Sequence, residues 1–259
     1  GLRGDLGDVG MFSNVSWDMY VQHSDSAGEY SEQFVRNDSI RSTNYQMASC
    51  VGQNSGGASA TTNTGETVTV DGVSCVDVRW YDPSFLAGNL TDGERNFLLG
   101  TDTGTTDFTQ TTFDGYVTGD VWELPQGPMS AALGIFYQRD EIMDRPSDTT
   151  LTGNEFFGSS AGITTGEQET QSIYGEVSIP LFGDLPLMQS FNLIASGRYN
   201  EITSSHRDGR SLTVDGSNYR LTADWAVSDA LRFRGSIGTS FRAPALYEQF
   251  LAAESRSRR

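Results

Sequence analysis

The segment from Leu231 to Arg242 alternates between apolar and polar residues with a period of two. Successive side chains of a β-strand point to opposite faces, so this segment would place hydrocarbon on one face and charge on the other. The pattern is typical of the wall of a transmembrane β-barrel, and a strand of a soluble sandwich can show it too. The apolar positions are Leu231, Phe233, Ile237 and Phe241, and the polar ones are Arg232, Arg234, Ser236, Ser240 and Arg242.

The same alternation recurs in six further segments of the chain. They lie at 15–22, 117–121, 129–138, 173–179, 192–200 and 219–225. Regular alternation with turn residues between the segments predicts an all-β fold of about seven antiparallel strands.

The connections between these segments alternate in length. Short ones at 124–128, 182–186 and 227–230 are interleaved with long ones at 36–110, 142–170 and 203–216. Outer-membrane barrels have short periplasmic turns and long extracellular loops, so this order favours a barrel. Aromatic residues near strand ends would suit interfacial girdles, although each of them could equally pack in a core. These are Trp122, Tyr137, Phe182, Trp225 and Phe241.

Composition excludes several classes of function. The net charge of −17 argues against nucleic acid or an anionic lipid surface as a partner. All the basic residues are Arg, whose fork-shaped donors suit carboxylates, phosphates and sugar hydroxyls. His23 and His206 lack metal-ligand spacing, and no catalytic constellation is evident, so we predict neither an enzyme nor a cofactor or metal site.

Several motifs resemble the barrel of TonB-dependent receptors. The stretch 238–250 contains Phe241, Arg242, Ala243 and Pro244 followed by a Leu-Tyr-Glu-Gln-Phe segment, as in that family. Four other regions resemble the family in the same order along the chain. They are 75–78 with 88–95, 122–128 with 134–139, 179–187, and 197–199 with 219–221.

The resemblance implies an active transporter of the bacterial outer membrane, with a plug domain inside a barrel of roughly 22 strands. Its partners would be outer-membrane lipid, a small-molecule ligand at the extracellular loops, and the TonB complex acting through the plug. The ligand would be an iron chelate, cobalamin or an oligosaccharide. Residues 1–259 would form part of the barrel domain, about a third of it, and the plug and TonB box would lie elsewhere in a longer protein.

Within such a barrel, strand parity predicts which residues face the lumen. The candidates are Tyr174, Glu176, Arg198, Arg220, Arg232 and Arg234. Leu193, Leu221, Leu231, Phe233 and Ile237 have the opposite parity and would face lipid, where an Arg at mid-depth costs about 2–4 kcal/mol.

The long loop carries three further expectations. Cys50 and Cys75 are the only cysteines, and in an oxidising compartment they predict one disulfide; metal binding is the weaker alternative because no His is near. The sequence from Thr91 to Glu94 predicts a capping box at the start of a short helix. Four loop aromatics, Tyr45, Trp80, Tyr81 and Phe85, could stack on a ligand or pack within the loop.

Two other functions remain open at this point. A passive porin or adhesin barrel would share the alternation but would lack the motif at 241–244. A soluble carbohydrate-binding β-sandwich would lack a lipid-facing band.

Overall fold

A computed structural model describes residues 1–43, 48–158, 161–206 and 209–251. Within these residues the chain forms ten strands and five short helices. In chain order the elements are β1 (Leu2–Val9), β2 (Phe12–Val35), α1 (Asn37–Thr43), β3 (Ala58–Thr61), β4 (Thr67–Val70), α2 (Pro83–Leu86), α3 (Asp92–Leu98), β5 (Leu99–Leu124), β6 (Gly127–Arg145), α4 (Asp148–Thr152), β7 (Thr164–Leu185), β8 (Met188–His206), β9 (Ser211–Ser228), β10 (Leu231–Gly238) and α5 (Leu246–Phe250).

Eight of the strands form one antiparallel sheet, in the order β1-β2-β5-β6-β7-β8-β9-β10, and β3 pairs with β4 in a separate hairpin. Strands that are neighbours in the large sheet are therefore consecutive along the chain, apart from the β3–β4 hairpin. The predicted antiparallel all-β fold is confirmed. β1 and β10 lie at the two ends of this order, so each pairs with a single neighbour and the sheet is not closed.

Strand β1 was not predicted from the sequence. Its residues include Gly4, Asp5 and Gly7 and show little alternation, so no hydrophobic period marks it. It is held by backbone pairing to β2, with Leu2 opposite Met19 and Arg3 opposite Asp18. Two irregularities interrupt the register, between Asp5 and Gly7 and between Gly7 and Val9.

The strands are longer than the alternating segments, and the connections are correspondingly shorter. The long connections span 36–98 and 146–163, and β8 and β9 are joined by residues 207–210 alone. The β7–β8 ladder continues to the pair Gly166 and His206, well beyond the last apolar residue. Backbone hydrogen bonds between strands do not require alternating apolar side chains. The strand pairing can therefore extend beyond the part of the sequence that alternates.

The chain divides into two compact units. The first contains 1–25, 109–141 and 166–249, and the second contains 26–108, 142–165 and the residues from 250 onward. The second unit has a small apolar core of Cys50, Cys75, Phe97 and Leu98. In the described part of the chain, no helix is both long and apolar enough to cross a membrane.

Candidate functional site

The register of β7, β8 and β9 places the predicted polar residues in aligned rows. Tyr174 lies opposite Arg198, which lies opposite Asn218. In the next row Glu176 lies opposite Ser196, which lies opposite Arg220. Direct cross-strand partners point to the same face of a sheet, so these rows share one face, which we call the polar face.

The polar face continues onto β10 with an Arg–Asp cluster. Arg234 lies opposite Asp224, and Arg232 is two residues further along the same strand. The Arg232 guanidinium donates through Nη2 to Asp224 Oδ2 at 2.8 Å, and Nε of Arg234 is 3.7 Å from the same oxygen. Asp224 is buried and pairs with both arginines, and its single negative charge offsets one of the two positive charges.

The opposite face, which we call the apolar face, carries hydrocarbon side chains. Two of its rows are formed by Val177, Ala195, Leu221 and Ile237, and by Phe191, Trp225 and Phe233. Ile237 is 67% exposed and Phe233 is 52% exposed, although both are large and apolar. A continuous exposed apolar surface of this kind marks an interaction with lipid or with another apolar partner.

The apolar face changes character beyond an aromatic residue in β6. Met129, Leu133 and Ile135 are followed by Tyr137, whose hydroxyl donates to Glu169 at 3.2 Å. Beyond Tyr137, Arg139 pairs with Glu141 at 2.9 Å and with Glu167 at 2.6 Å. The stretch from Met129 to Tyr137 is about nine residues, the length that a tilted transmembrane strand needs.

Arg198 is held in place on the polar face by neutral groups. Its Nε donates to Asn200 Oδ1 at 2.8 Å, and its Nη2 donates to Ser172 Oγ at 3.0 Å. The guanidinium carbon lies 4.7 Å from the ring centroid of Phe136 and 5.7 Å from that of Tyr174. Two aromatic faces and two polar contacts fix the orientation of the guanidinium without cancelling its charge.

Tyr174 is itself oriented by two neighbours. Its hydroxyl donates to Asp114 Oδ1 at 3.0 Å. A Cβ at position 134 would overlap the phenol ring of Tyr174, so Gly134 leaves room for the ring where it lies. Asp114 and Gly134 therefore set where the ring lies beside Arg198.

Tyr174 and Arg198 line a concave site of about 470 Å³ on the polar face. Its walls include Tyr116, Tyr174, Glu176, Arg198, Asn218 and Arg220. Four of the six lumen-facing candidates therefore meet at one site, and Arg232 and Arg234 lie apart, beside Asp224. The sequence could not identify Asp114 as the partner of Tyr174, or Phe136 as the ring beside Arg198. Those contacts depend on the register of β5 and β6 against β7, which strand parity does not give.

The motif at 241–244 leaves the sheet instead of continuing β10, so the predicted strand to Arg242 is wrong beyond Gly238. The ring of Phe241 packs where a Cβ of Gly216 would lie, on the polar face and not in an interfacial girdle. Gln168 Nε2 donates to the Pro244 carbonyl at 3.2 Å, and Arg242 pairs with Glu248 at 2.8 Å. The contacts of Phe241 with Gly216 and of Pro244 with Gln168 place segment 239–249 against the polar face.

The loop in the second unit contains the two cysteines, joined by a disulfide with a Cα–Cα distance of 5.6 Å. The capping box at Thr91 is also present and begins α3 as predicted. Glu94 accepts from Arg79 Nε and Nη2, each at 2.9 Å. The hydrogen bonds from Arg79 lower the pKa of the buried Glu94 carboxyl to about 2, against the opposing effect of its burial.

The loop aromatics differ in their surroundings. Trp80 and Phe85 pack edge to face with centroids 5.5 Å apart, and both pack against the apolar core of the loop. Trp80 also donates through Nε1 to the Thr43 carbonyl at 3.0 Å. Tyr81 is 77% exposed, and Tyr45 lies outside the described residues. Trp80 and Phe85, two of the four loop aromatics, therefore pack within the loop.

Over the described ranges, no group of three or more His, Cys, Asp or Glu side chains is placed to hold a metal ion. An antiparallel sheet with one apolar face and one polar face is the arrangement that the wall of a transmembrane β-barrel requires. The family model described as TonB dependent receptor-like, beta-barrel matches residues 3–256, and the chain belongs to this family of outer-membrane barrels. No curated protein and no solved structure is similar enough to match the chain.

Proposed function

We propose that this chain forms part of the wall of an active transporter that imports a scarce nutrient and is energised by TonB through a plug domain. In this proposal the polar face lines the lumen and the apolar face contacts outer-membrane lipid. The observation that carries it is the separation of Arg198, Arg220, Arg232 and Arg234 from Leu221, Phe233 and Ile237 onto opposite faces of one sheet.

A lumen must be lined by polar groups that a plug and a passing ligand can contact. The polar face supplies hydrogen-bond donors and acceptors along β7–β10, and segment 239–249 adds Arg242 and Glu248 on the same side. The loop unit, braced by the Cys50–Cys75 disulfide, would contribute to the extracellular mouth where ligand is captured. Iron chelates, cobalamin and oligosaccharides remain the candidate ligands.

The test is uptake by cells that carry the full receptor, with and without TonB. We expect accumulation of one nutrient class that depends on both the receptor gene and TonB. A matched strain without the receptor gives the background. Uptake that persists without TonB would instead support a passive porin, and would overturn the proposed energy coupling.

A second measurement tests which face of the sheet contacts lipid. Lipid-soluble photolabels should react with apolar-face positions such as Ile237 and spare Ser236, its neighbour on the polar face. Equal labelling of both positions would favour a soluble sandwich, in which neither face meets lipid.

A further inference from the structure

We propose that an apolar groove near the short turns of the sheet binds an acyl chain of a phospholipid whose headgroup carries a primary amine. This inference rests on the proposed function, because it names the lipid that one part of the apolar face would hold. The groove has a volume of about 420 Å³ and is lined by residues of β1, β2, β5 and β6. All of them belong to the first compact unit.

The groove opens on the apolar face of the sheet. Asp114 accepts from the Tyr174 hydroxyl, and Phe136 lies beside the Arg198 guanidinium, so even-numbered residues of β5 and β6 belong to the polar face. Successive side chains of a strand alternate between faces, so the odd-numbered residues of these strands point the other way. The odd-numbered residues of β5 and β6 in the groove are Val117, Gly119, Val121, Ala131 and Leu133.

The lining of the groove fits hydrocarbon. Gly119 and Ala131 contribute little side-chain volume, whereas Leu6 and Leu133 are large. Leu6 is 57% exposed and Leu133 is 55% exposed, so their apolar surface can still be covered by a ligand. Thr118 is the one polar residue among the described residues that line the groove. Covering such a surface with an acyl chain is therefore favourable.

The position of the groove along the strands assigns it to one leaflet. β1 and β2 are joined by residues 10–11 and β5 and β6 by residues 125–126, so both short turns lie at the same end of the sheet. Val117 is seven residues from the end of β5, which is about 23 Å along the strand. A tilt of about 35–45° reduces this to roughly 16–19 Å along the membrane normal, about half of the hydrocarbon core. Short turns of outer-membrane barrels are periplasmic, so the acyl chain comes from the periplasmic leaflet.

Two carboxylates lie between the groove and the short turns. Glu123 is two residues beyond Val121 and has the same parity, so it lies on the same face, nearer the turn. It is exposed, and no arginine in the described ranges pairs with it. Asp8 precedes Val9 of the groove wall and is also exposed. A lipid headgroup above the groove would therefore meet negative charge.

No arginine is placed to bind a lipid phosphate at this level. Among residues 1–25 and 109–141, which contain the groove, the arginines are Arg3 and Arg139. Arg3 is six residues from the end of β1 and Arg139 is twelve from the start of β6, so both are roughly 20 Å or more from the short turns. A primary ammonium carries three hydrogen-bond donors and can donate to Glu123. An anionic headgroup without an amine would be repelled.

Native mass spectrometry of the purified full-length receptor in detergent, with a chelator present, tests the proposal. The probes are phosphatidylethanolamine, phosphatidylglycerol and phosphatidylcholine with identical acyl chains, added in equal amounts. We expect about fivefold more bound phosphatidylethanolamine than either other lipid, and Glu123→Gln should reduce it to the level of phosphatidylcholine. Ala131→Leu fills the groove and should reduce it about threefold. Ala195→Leu, the same change elsewhere on the apolar face, is the control and should leave it unchanged.

A photoreactive phosphatidylethanolamine maps the site in the unmodified receptor, so this measurement does not require a variant that folds. A diazirine on the acyl chain should label peptides from 117–133 more heavily than the peptide that contains Leu221. Excess phosphatidylethanolamine should compete, and excess phosphatidylcholine should not.

Even labelling of the apolar face, equal binding of the three lipids, or equal losses in Ala131→Leu and Ala195→Leu would overturn the proposal. A receptor dimer that Ala131→Leu abolishes would overturn it too, because the groove would then hold a second copy of the chain. TonB-independent uptake with intact lipid selectivity would contradict the proposed function and leave the groove standing. TonB-dependent uptake without lipid selectivity would do the reverse.

Discussion

Glu94 and Arg79 form a two-pronged ion pair in the loop of the second unit, with both N–O distances at 2.9 Å. The same carboxylate accepts from the backbone N–H of Thr91 at 2.8 Å, which completes the capping box of α3. Glu94 is 1% exposed, so one buried carboxylate joins the start of a helix to a distant arginine. We therefore expect the fold of this loop to depend on the negative charge of Glu94.

We expect Glu94→Gln to open this loop locally. The change replaces a buried carboxylate, which accepts hydrogen bonds from Arg79 and from the backbone of Thr91, with a neutral amide. The loss of these charge-assisted hydrogen bonds costs about 2 kcal/mol. Amide hydrogen exchange over residues 79–98 should accelerate. Glu66→Gln is the matched control, because Glu66 also pairs with an arginine, Arg145, but is half exposed and should contribute less than about 1 kcal/mol. Equal effects of the two variants would contradict the assignment.

The same pair predicts a pH dependence. The folded-state pKa of Glu94 is about 2, below its ordinary value of 4.5, so its contribution is fully present above pH 4.5. It is lost progressively as the pH falls from 4.5 toward 2. Hydrogen exchange of the loop, corrected for intrinsic rates, should be protected evenly from pH 7 to 5 and lose protection below that range. Glu94→Gln should remove this dependence.

We expect loss of the Cys50–Cys75 bridge to destabilise the loop. Closing a segment with a separation of 25 residues restricts the unfolded chain by about 3 kcal/mol. Cys50→Ser with Cys75→Ser should raise the rate of proteolysis between residues 48 and 98. Peptide mapping without reductant should recover the two cysteines joined in the native protein, and free alkylation of both thiols would refute the bridge.

The two faces of the sheet predict opposite responses to an inserted charge. Ile237→Arg should reduce folding into lipid vesicles by about 2–4 kcal/mol, because the apolar face would meet hydrocarbon. Ser236→Arg, one residue away on the polar face, should cost less than about 1 kcal/mol. Urea titration of folding in vesicles measures both, and similar costs would contradict the assignment of the faces.

We expect substitutions at Gly216 and Phe241 to have coupled effects on the free energy of unfolding. Gly216→Ala places a Cβ where the Phe241 ring lies, so the ring must move, at a cost of about 1 kcal/mol. In a Phe241→Ala background the same change should cost much less. A double-mutant cycle on the unfolding free energy isolates the coupling. Additive effects would mean that segment 239–249 does not lie against Gly216.

Much of the fold was predictable because it rests on local patterns. The period-two alternation of Leu231, Phe233 and Ile237 against Arg232 and Arg234 requires opposite faces wherever the strand pairs, so parity alone separated the two surfaces. The capping box at Thr91 is equally local, since both partners lie within four residues. The disulfide followed from there being only two cysteines.

Other features depend on contacts that parity cannot give. β1 has little hydrophobic period, and its place in the sheet comes from backbone pairing with β2. Phe241 has the parity of the apolar-face residues, yet its ring packs at Gly216 on the polar face, because the chain leaves the sheet after Gly238. Alternation predicts a face only while the strand continues.

The sequence by itself determined that this chain makes an antiparallel sheet with one apolar and one polar face, because side-chain direction follows from backbone geometry alone. Only the tertiary structure decided the register, which brings Arg198 and Arg220 together at one site and places Asp224 beside Arg232 and Arg234. Register sets which charges are neighbours. Parity alone leaves the register open, because a slip of two residues keeps every side chain on the same face, and the paired ladders of the structure settle it.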